Sequence, residues 1–540
     1  MNSPSVPFSP TMGNLLRHAE QRFAAGDYVV TQDKRLTFES AEVQSRRLAK
    51  RLLKAGVGKG TRIGVLFPQG PDFVTALLAI TRVGGVAVLL STFLRPPELA
   101  RAVRHADLDT LIAPRSLLGQ DLYEQFEITW PELRNTQGRT LYLTEAPYLR
   151  RIWLVSGADR PWATATPELD SLADEGDVSD AIFEQIEAEV RPSDLMVMIH
   201  TSGATADPKA VVHTHGAQIR HAWSLAQLYG FTEDVRTFTT MPFFWVGGLT
   251  VCLLSHLHVG AAVLTVERMD PPAMLELIER ERATRIVGWT LLDRITADPV
   301  LADRDLSWLV ELDASGSAPD PGLRHNSLGM SETGGPHTAA AAAEKDVDLP
   351  ERLRGSFGPP VPGVQHKVVD PENPSVALPE GVEGDLLVRG YSLMDGLYKK
   401  ERSETFDEDG WYRTGDKGFF RDSYLFFTGR STEMIKTGGA NVAPREVELV
   451  LESLPGVQAA FVVGLPDAKR GQLVGCLVCP EPNTEIVPTE LTEQLRTLLS
   501  TYKIPRVVKV VPYEEAPWLP SGKISKPRVI DLLSKTSDDR

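Results

Sequence analysis

The chain has 540 residues, 42% of them hydrophobic and 24% charged, with a formal net charge of −15. That length is enough for a large core and more than one domain. The acidic balance weighs against nucleic acid as a partner, although a local cluster of donors can still hold a small anion. Residues 1–10 carry neither a positive n-region nor an apolar h-region, so no secretory signal is expected. Apolar runs such as Val83 to Leu90 are too short for an integral membrane segment. The chain has 3 cysteines, Cys252, Cys476 and Cys479, which fits free thiols in a reducing, cytoplasmic location. Cys476 and Cys479 form a C-x-x-C, but within a strand positions three apart face opposite sides, which favours packing over redox or metal chemistry.

In chain order, Leu48, Leu52 and Ala55 share a helical face, with Gly56 where a C-cap belongs. Arg62 to Phe67 reads as a strand, Pro71 to Arg82 as a helix and Val86 to Leu90 as a buried strand, a β-α-β rhythm that predicts parallel sheets covered by helices. Ser156 to Glu187 is polar and reads as an irregular surface connection. The rhythm resumes at Met196 to Ile199 and Ala261 to Val266, and Ala339 to Ala343 reads as one turn of helix. After Gly384 short strands separated by glycine-rich turns predict a small β-rich subdomain, including Asp385 to Val388 and Tyr424 to Thr428. Beyond it the helical stripes Val447, Val450, Leu451, Leu454 and Leu491, Leu495, Leu498, Leu499 alternate with the strands Ala459 to Val463 and Leu473 to Val478. The expected fold is therefore a large α/β domain, residues 1–428, followed by a small mobile α+β domain, residues 429–540, with the boundary near Arg430.

The sharpest chemical signal is His200-Thr201-Ser202-Gly203-Ala204-Thr205-Ala206-Asp207-Pro208-Lys209-Ala210, which follows an apolar strand. Hydroxyls, backbone N–H groups and one ammonium in such a loop suit phosphate oxygens, but the Walker ending is missing, and alone the run reads equally as a phosphate loop or an ordinary Ser/Thr-rich turn. Later come Leu328-Gly329-Met330-Ser331-Glu332, Tyr412-Arg413-Thr414-Gly415-Asp416, Gly429-Arg430, Ile435-Lys436-Thr437-Gly438-Gly439 and Pro520-Ser521-Gly522-Lys523. Singly these are weak: Asp416 reads as a turn residue, Glu332 as a carboxylate at a helix N-terminus and Lys523 as a solvated loop lysine. His213 and His215, expected on one side of a strand, lack a third ligand for a metal.

As an ordered set they resemble the acyl-activating superfamily of adenylate-forming enzymes, from about Leu36 to Leu532. The resemblance implies that a carboxylate attacks the α-phosphate of ATP to give acyl-AMP and pyrophosphate, and that a thiol, coenzyme A, then displaces AMP. It implies that Thr201, Ser202, Gly203, Thr205 and Lys209 grip the β/γ-phosphates, that Glu332 holds Mg²⁺ and that Ser331 touches the α-phosphate. Asp416 would take the ribose hydroxyls beside Arg430, and Gly316 belongs to a stretch resembling the adenine loop. Lys523 would reach the α-phosphate from the small domain, while Lys436, Gly438 and Gly439 would approach the nucleotide and the pantetheine channel.

The chain departs from the pattern at several points. Ala204, Ala206 and Ala210 stand where a threonine and glycines are usual, Leu328 replaces a tyrosine, Trp245 a histidine, and Thr432 the hinge Asp or Lys. The segment between Ala318 and Leu328 is short. Amino acids are disfavoured as substrates because the stretch that would supply a carboxylate for the ammonium is Phe243, Phe244 and Trp245. With Gly247, that stretch reads either as an apolar acyl pocket or as core. The expectation is an ATP-dependent carboxylic acid:CoA ligase acting on a hydrophobic, fatty-acid-like acid. An aryl-acid ligase, a luciferase-like enzyme and a non-catalytic acyl-AMP binder stay open, as does a homodimer. No fused carrier domain is expected, which favours free coenzyme A.

Overall fold

The computed structural model describes residues 4–157, 160–173, 178–201, 209–288, 311–313, 327–341, 349–430, 434–482, 484–518 and 524–537. Among them, the β-α-β rhythm of the N-terminal half closes into two sheets. An eight-stranded sheet runs Gly396–Leu397, Lys209–Thr214, Leu195–Thr201, Val86–Leu89, Arg62–Val65, Thr110–Pro114, Arg151–Val155 and Ala163–Thr166. Its strands from Leu195–Thr201 onward are parallel, and Lys209–Thr214 pairs antiparallel on both sides. A six-stranded, mostly parallel sheet lies beside it in order Glu311–Asp313, Arg285–Val287, Arg236–Thr239, Ala262–Leu264, Asp27–Val30, Arg35–Thr37. The helix Pro71–Arg82 is wedged into the core, with Phe73, Leu77 and Ile80 almost fully buried. A helix apolar all round needs such a buried setting.

A four-stranded antiparallel sheet follows, Val364–Val369, Gly384–Gly390, Tyr412–Arg421 and Tyr424–Arg430. Beyond it a C-terminal sheet is built from Ala440–Val442, Ile435–Thr437, Gly471–Pro480, Val457–Asp467 and Val507–Val510. Its own core contains Val447, Leu451, Leu491, Leu495 and Cys476. The chain thus has a large α/β domain with parallel sheets and a smaller C-terminal domain.

Three local expectations differ from the structure. The polar stretch Ser156 to Glu187 contains the strand Ala163–Thr166 and the helix Asp180–Ala188, and Glu187 accepts a bond from Arg82 Nε at 2.5 Å. Ala339 to Ala341 are not helical, because Ala339 donates its N–H across to the Pro359 carbonyl at 3.0 Å. His213 and His215 do not share a strand face. The strand ends at Thr214, whose hydroxyl caps the helix His215–Leu228, and His215 Nδ1 instead accepts the Met12 N–H at 3.2 Å.

Candidate active site

The strand Lys209–Thr214 is the spine of the site. Alternation puts Ala210 and Val212 into the core beneath the sheet and turns Lys209, Val211 and His213 to the other face. Thr201 and Lys209 are register partners at the loop end of the hairpin, so the ends of the phosphate-loop candidate are held opposite each other. Ser202, Gly203 and Thr205 lie outside the described residues, as do Gly316, Lys523 and the side chain of Arg430.

Lys209 Nζ makes a close ion pair with Glu332 Oε1 and donates to the Tyr412 hydroxyl at 3.1 Å. That hydroxyl in turn donates to Glu332 Oε1 at 3.1 Å. Three segments far apart in sequence therefore meet at one carboxylate. Glu332 sits in the short 3₁₀ turn Ser331–Thr333, closed by Gly334 at φ 72°. The Thr333 hydroxyl bonds back to the Met330 carbonyl at 3.1 Å, and Met394 N–H anchors the Glu332 carbonyl at 2.8 Å. Burial works to raise the Glu332 pKa, but the Lys209 charge and the bonds from Lys209 and Tyr412 outweigh it and hold the carboxyl below its usual value.

Asp416 is 2% exposed and shares a face of the strand Tyr412–Arg421 with Tyr412. Its N–H donates to Thr414 Oγ1 at 3.0 Å, and its register partner on the neighbouring strand is Arg430. Gly438 and Gly439 form the two-residue loop between Ile435–Thr437 and Ala440–Val442. Their φ values of 55° and 83° are those of a type I′ hairpin, so local geometry already demands glycine there. A Cβ on Gly438 would meet only Arg470 Nη1, at 3.8 Å, so the loop presents a bare backbone. The Lys436 ammonium lies 5.0 Å from the Phe427 ring centroid, against the four-stranded sheet.

The aromatic stretch divides. Phe243 is core, its ring centroid 5.8 Å from that of Phe73. Phe244 and Trp245 face Phe93, with centroids 5.7 and 6.1 Å away, and Phe93 also meets Tyr502 of the C-terminal domain at 6.1 Å. Gly247 opens a π-helical segment, Gly247–Leu254, a geometry often found at functional sites. A Cβ on Gly247 would strike the flexible end of Met241, while one on Gly248 would meet the Pro242 carbonyl oxygen at 2.2 Å, so position 248 is closed to any side chain.

The residues fit the groups that the sequence implies. Among the described residues no cluster of three or more His, Cys, Asp or Glu side chains could cage a metal. One ionised, nearly buried carboxylate beside Lys209 suits Mg²⁺, which is commonly held by one or two carboxylates plus substrate phosphates. A buried carboxylate such as Asp416, an acceptor only, suits a ribose diol. Tyr412 is the group that sequence reasoning left without a role, although its position four before Asp416 already put both on one strand face.

The AMP-binding enzyme family model matches residues 16–398, and that of the AMP-binding enzyme C-terminal domain matches residues 446–523. A feruloyl-CoA synthase of Amycolatopsis sp is 30% identical over 504 residues, covering 92% of this chain and 93% of that protein. The acyl-CoA ligase SID4 of Ajellomyces capsulatus is 29% identical over 562 residues, covering 98% and 93%. The amide bond synthetase McbA of Marinactinospora thermotolerans superposes with a TM-score of 0.78 at 25% identity, over 96% of this chain and 99% of that one. The chain belongs to the AMP-binding enzyme family, in the acyl-CoA ligase branch of the adenylate-forming superfamily, whose reaction class is the AMP-forming ligation of an acid to a thiol.

Proposed function

We propose that this protein joins an apolar carboxylic acid to coenzyme A in two half-reactions, with an acyl-adenylate between them. The observation that carries the reading is the meeting of Lys209, Glu332 and Tyr412 at one point. Two anions must approach each other in adenylation, and preorganised positive charge and hydrogen-bond donors lower that barrier. In this reading Thr201, Ser202, Gly203, Thr205 and Lys209 grip the triphosphate. Glu332 would hold Mg²⁺, which supplies charge neutralisation when bound. Ser331 meets the α-phosphate, and Asp416 with Arg430 holds the ribose. Lys523 serves adenylation from the C-terminal domain, and Gly438 and Gly439 line the thiol's approach. The chain would divide near Arg430, where the four-stranded sheet ends before the C-terminal sheet begins.

The apolar character of the acid rests on Phe244, Trp245 and Phe93, three rings in mutual contact. A long aliphatic acid is favoured. The feruloyl-CoA synthase relative makes a ring-containing acid the alternative to include. The test is pyrophosphate release with ATP and Mg²⁺ across aliphatic acids of graded length and a set of aryl acids, with and without coenzyme A. Thioester formation with apolar acids is expected. The absence of pyrophosphate with every acid would sink the reading.

A further inference from the structure

His213 is fully buried, with its ring nitrogen Nε2 2.7 Å from the Ser331 carbonyl oxygen. A carbonyl can only accept, so Nε2 carries the proton and donates. The same carbonyl also accepts the Gly334 N–H at 3.1 Å, so its two lone pairs are taken by the turn itself and by the imidazole. Burial holds the ring neutral, with its pKa lowered to about 4.

The placement on the strand gives this bond its meaning. Lys209 and His213 lie on one face with Val211 between them, and Val211 packs in a cluster with Met394, Phe406 and Tyr412, against which Met330 rests. One strand face therefore grips the Ser331–Thr333 turn at two points, Lys209 through the Glu332 carboxylate and His213 through the Ser331 carbonyl. Behind the turn there is no slack. A Cβ on Gly334 would sit 2.8 Å from Gln218 Nε2, 3.2 Å from the Ser392 carbonyl oxygen and 3.6 Å from His213 Cε1. A turn held at two adjacent residues and packed behind has little freedom to change where its carboxylate points.

We propose that His213 is a positioning residue for adenylation, an imidazole whose Nε2–H holds the Ser331 carbonyl and fixes the Ser331–Glu332 turn so that Glu332 faces Lys209 and the incoming Mg·ATP. The proposal rests on the adenylation reading above. Its test compares His213→Leu with His213→Gln, whose amide N–H can still donate to the carbonyl. Calorimetry of Mg·ATP without acid, steady-state pyrophosphate release, thioester formation from synthetic acyl-adenylate and the unfolding temperature are measured on each. His213→Leu is expected to weaken Mg·ATP binding and to lower kcat/KM for ATP by roughly 10- to 100-fold, the range from a lost hydrogen bond to a displaced group. The KM for the acid and thioester formation from supplied acyl-adenylate should stay within about 3-fold, and His213→Gln should recover most of the loss. If His213→Leu fails to fold, the glutamine variant against the native protein decides: near-native Mg·ATP affinity supports the proposal, and an affinity as poor as that of Glu332→Gln overturns it. Unchanged Mg·ATP affinity in His213→Leu, or equal loss in both half-reactions tracking a lower unfolding temperature, also overturns it. If the native protein binds Mg·ATP but releases no pyrophosphate with any acid, the ligase reading fails while the calorimetric comparison still judges His213.

Discussion

Lys503 of the C-terminal domain places its ammonium 2.7 Å from Glu98 Oε1, at the start of the large-domain helix Pro96–His105, and 2.8 Å from Glu446 Oε1. Glu98 uses its other oxygen to accept from Ser500 Oγ at 2.7 Å and from the Arg95 N–H at 2.9 Å. Both side chains of the pair are nearly buried, at 6% and 3% exposure. Burial works against the ammonium, but Tyr502, Glu98 and Glu446 outweigh it and raise the Lys503 pKa above its ordinary value. The docked domain is thus held by a desolvated charge cluster, which costs most when only one partner is removed.

Lys503→Met should loosen the docked arrangement by about 3–5 kcal/mol, because Glu98 is left buried without its cation. The double variant Glu98→Leu/Lys503→Met should recover part of that loss, since Glu446 alone is then left without the Lys503 cation. Interdomain distance distributions from a fluorophore pair, one on each domain, read both. Additive losses would show that the two residues are not coupled.

Tyr412→Phe removes the hydroxyl shared by Lys209 and Glu332 and leaves the ring packed. Mg·ATP affinity should fall about 3- to 10-fold, the net worth of a lost hydrogen bond in a charged network. Calorimetry checks this, and an unaltered affinity would remove Tyr412 from the site.

Trp245→Ala should shift the preferred acid, because it opens space beside Phe244 and Phe93. Each further buried methylene is worth about 0.8 kcal/mol, so the optimum should move to longer chains in kcat/KM across a graded panel. An unchanged profile would assign Trp245 to packing alone.

The half-reactions should separate genetically. Lys523→Ala should slow adenylation by roughly 10²–10³-fold, the loss usual for one charge-stabilising donor. It should spare thioester formation from supplied acyl-adenylate. A side chain at Gly439 should do the reverse. The φ of 83° there means that any substitution also strains the hairpin, so Gly439→Ala is cleaner than Gly439→Leu. Equal impairment of both steps by both variants would argue against a C-terminal domain that alternates between them.

Acid should unfold this protein early. Burial holds His200, His215, His221, His256, His258 and His366 at pKa values of about 3, and His213 at about 4. His337 is lowered by burial and by His366 and His221. These rings are neutral when folded and titrate near 6.5 when unfolded, so their contribution is complete above about pH 6.5 and is lost as the pH falls toward 4 and 3. Each adds about 1.4 kcal/mol per pH unit in that window. The unfolding temperature should therefore drop steeply from pH 6.5 to 4.5, and a flat profile would contradict the buried, neutral state.

The helix Pro71–Arg82 and the strands around it were legible because apolar periodicity and burial coincide there. Tyr412 and Asp416 were legible as a motif, but the meeting of Tyr412 with Glu332 depends on how the four-stranded sheet docks on the strand Lys209–Thr214, which no local pattern encodes. The helix Asp180–Ala188 was hidden because few apolar residues mark its buried face, and Glu187 is fixed by Arg82 and Arg17, distant in sequence. The alanines at 339–341 show tertiary pairing overriding helix propensity. Phe243 shows the limit of reading a pocket from composition, since an aromatic that lines a site and one that fills the core look alike in a string of letters.

The three cysteines are all buried. Burial raises the Cys476 thiol well above the usual range and the Cys479 thiol to about 11. An enzyme that manufactures a reactive mixed anhydride faces a hazard of self-acylation, and the nucleophile it must fear is its own thiolate. With its sulfurs sealed in the core, this protein leaves the incoming cofactor's thiol without a rival. It should retain its activity through many turnovers and take up no alkylating reagent until it unfolds.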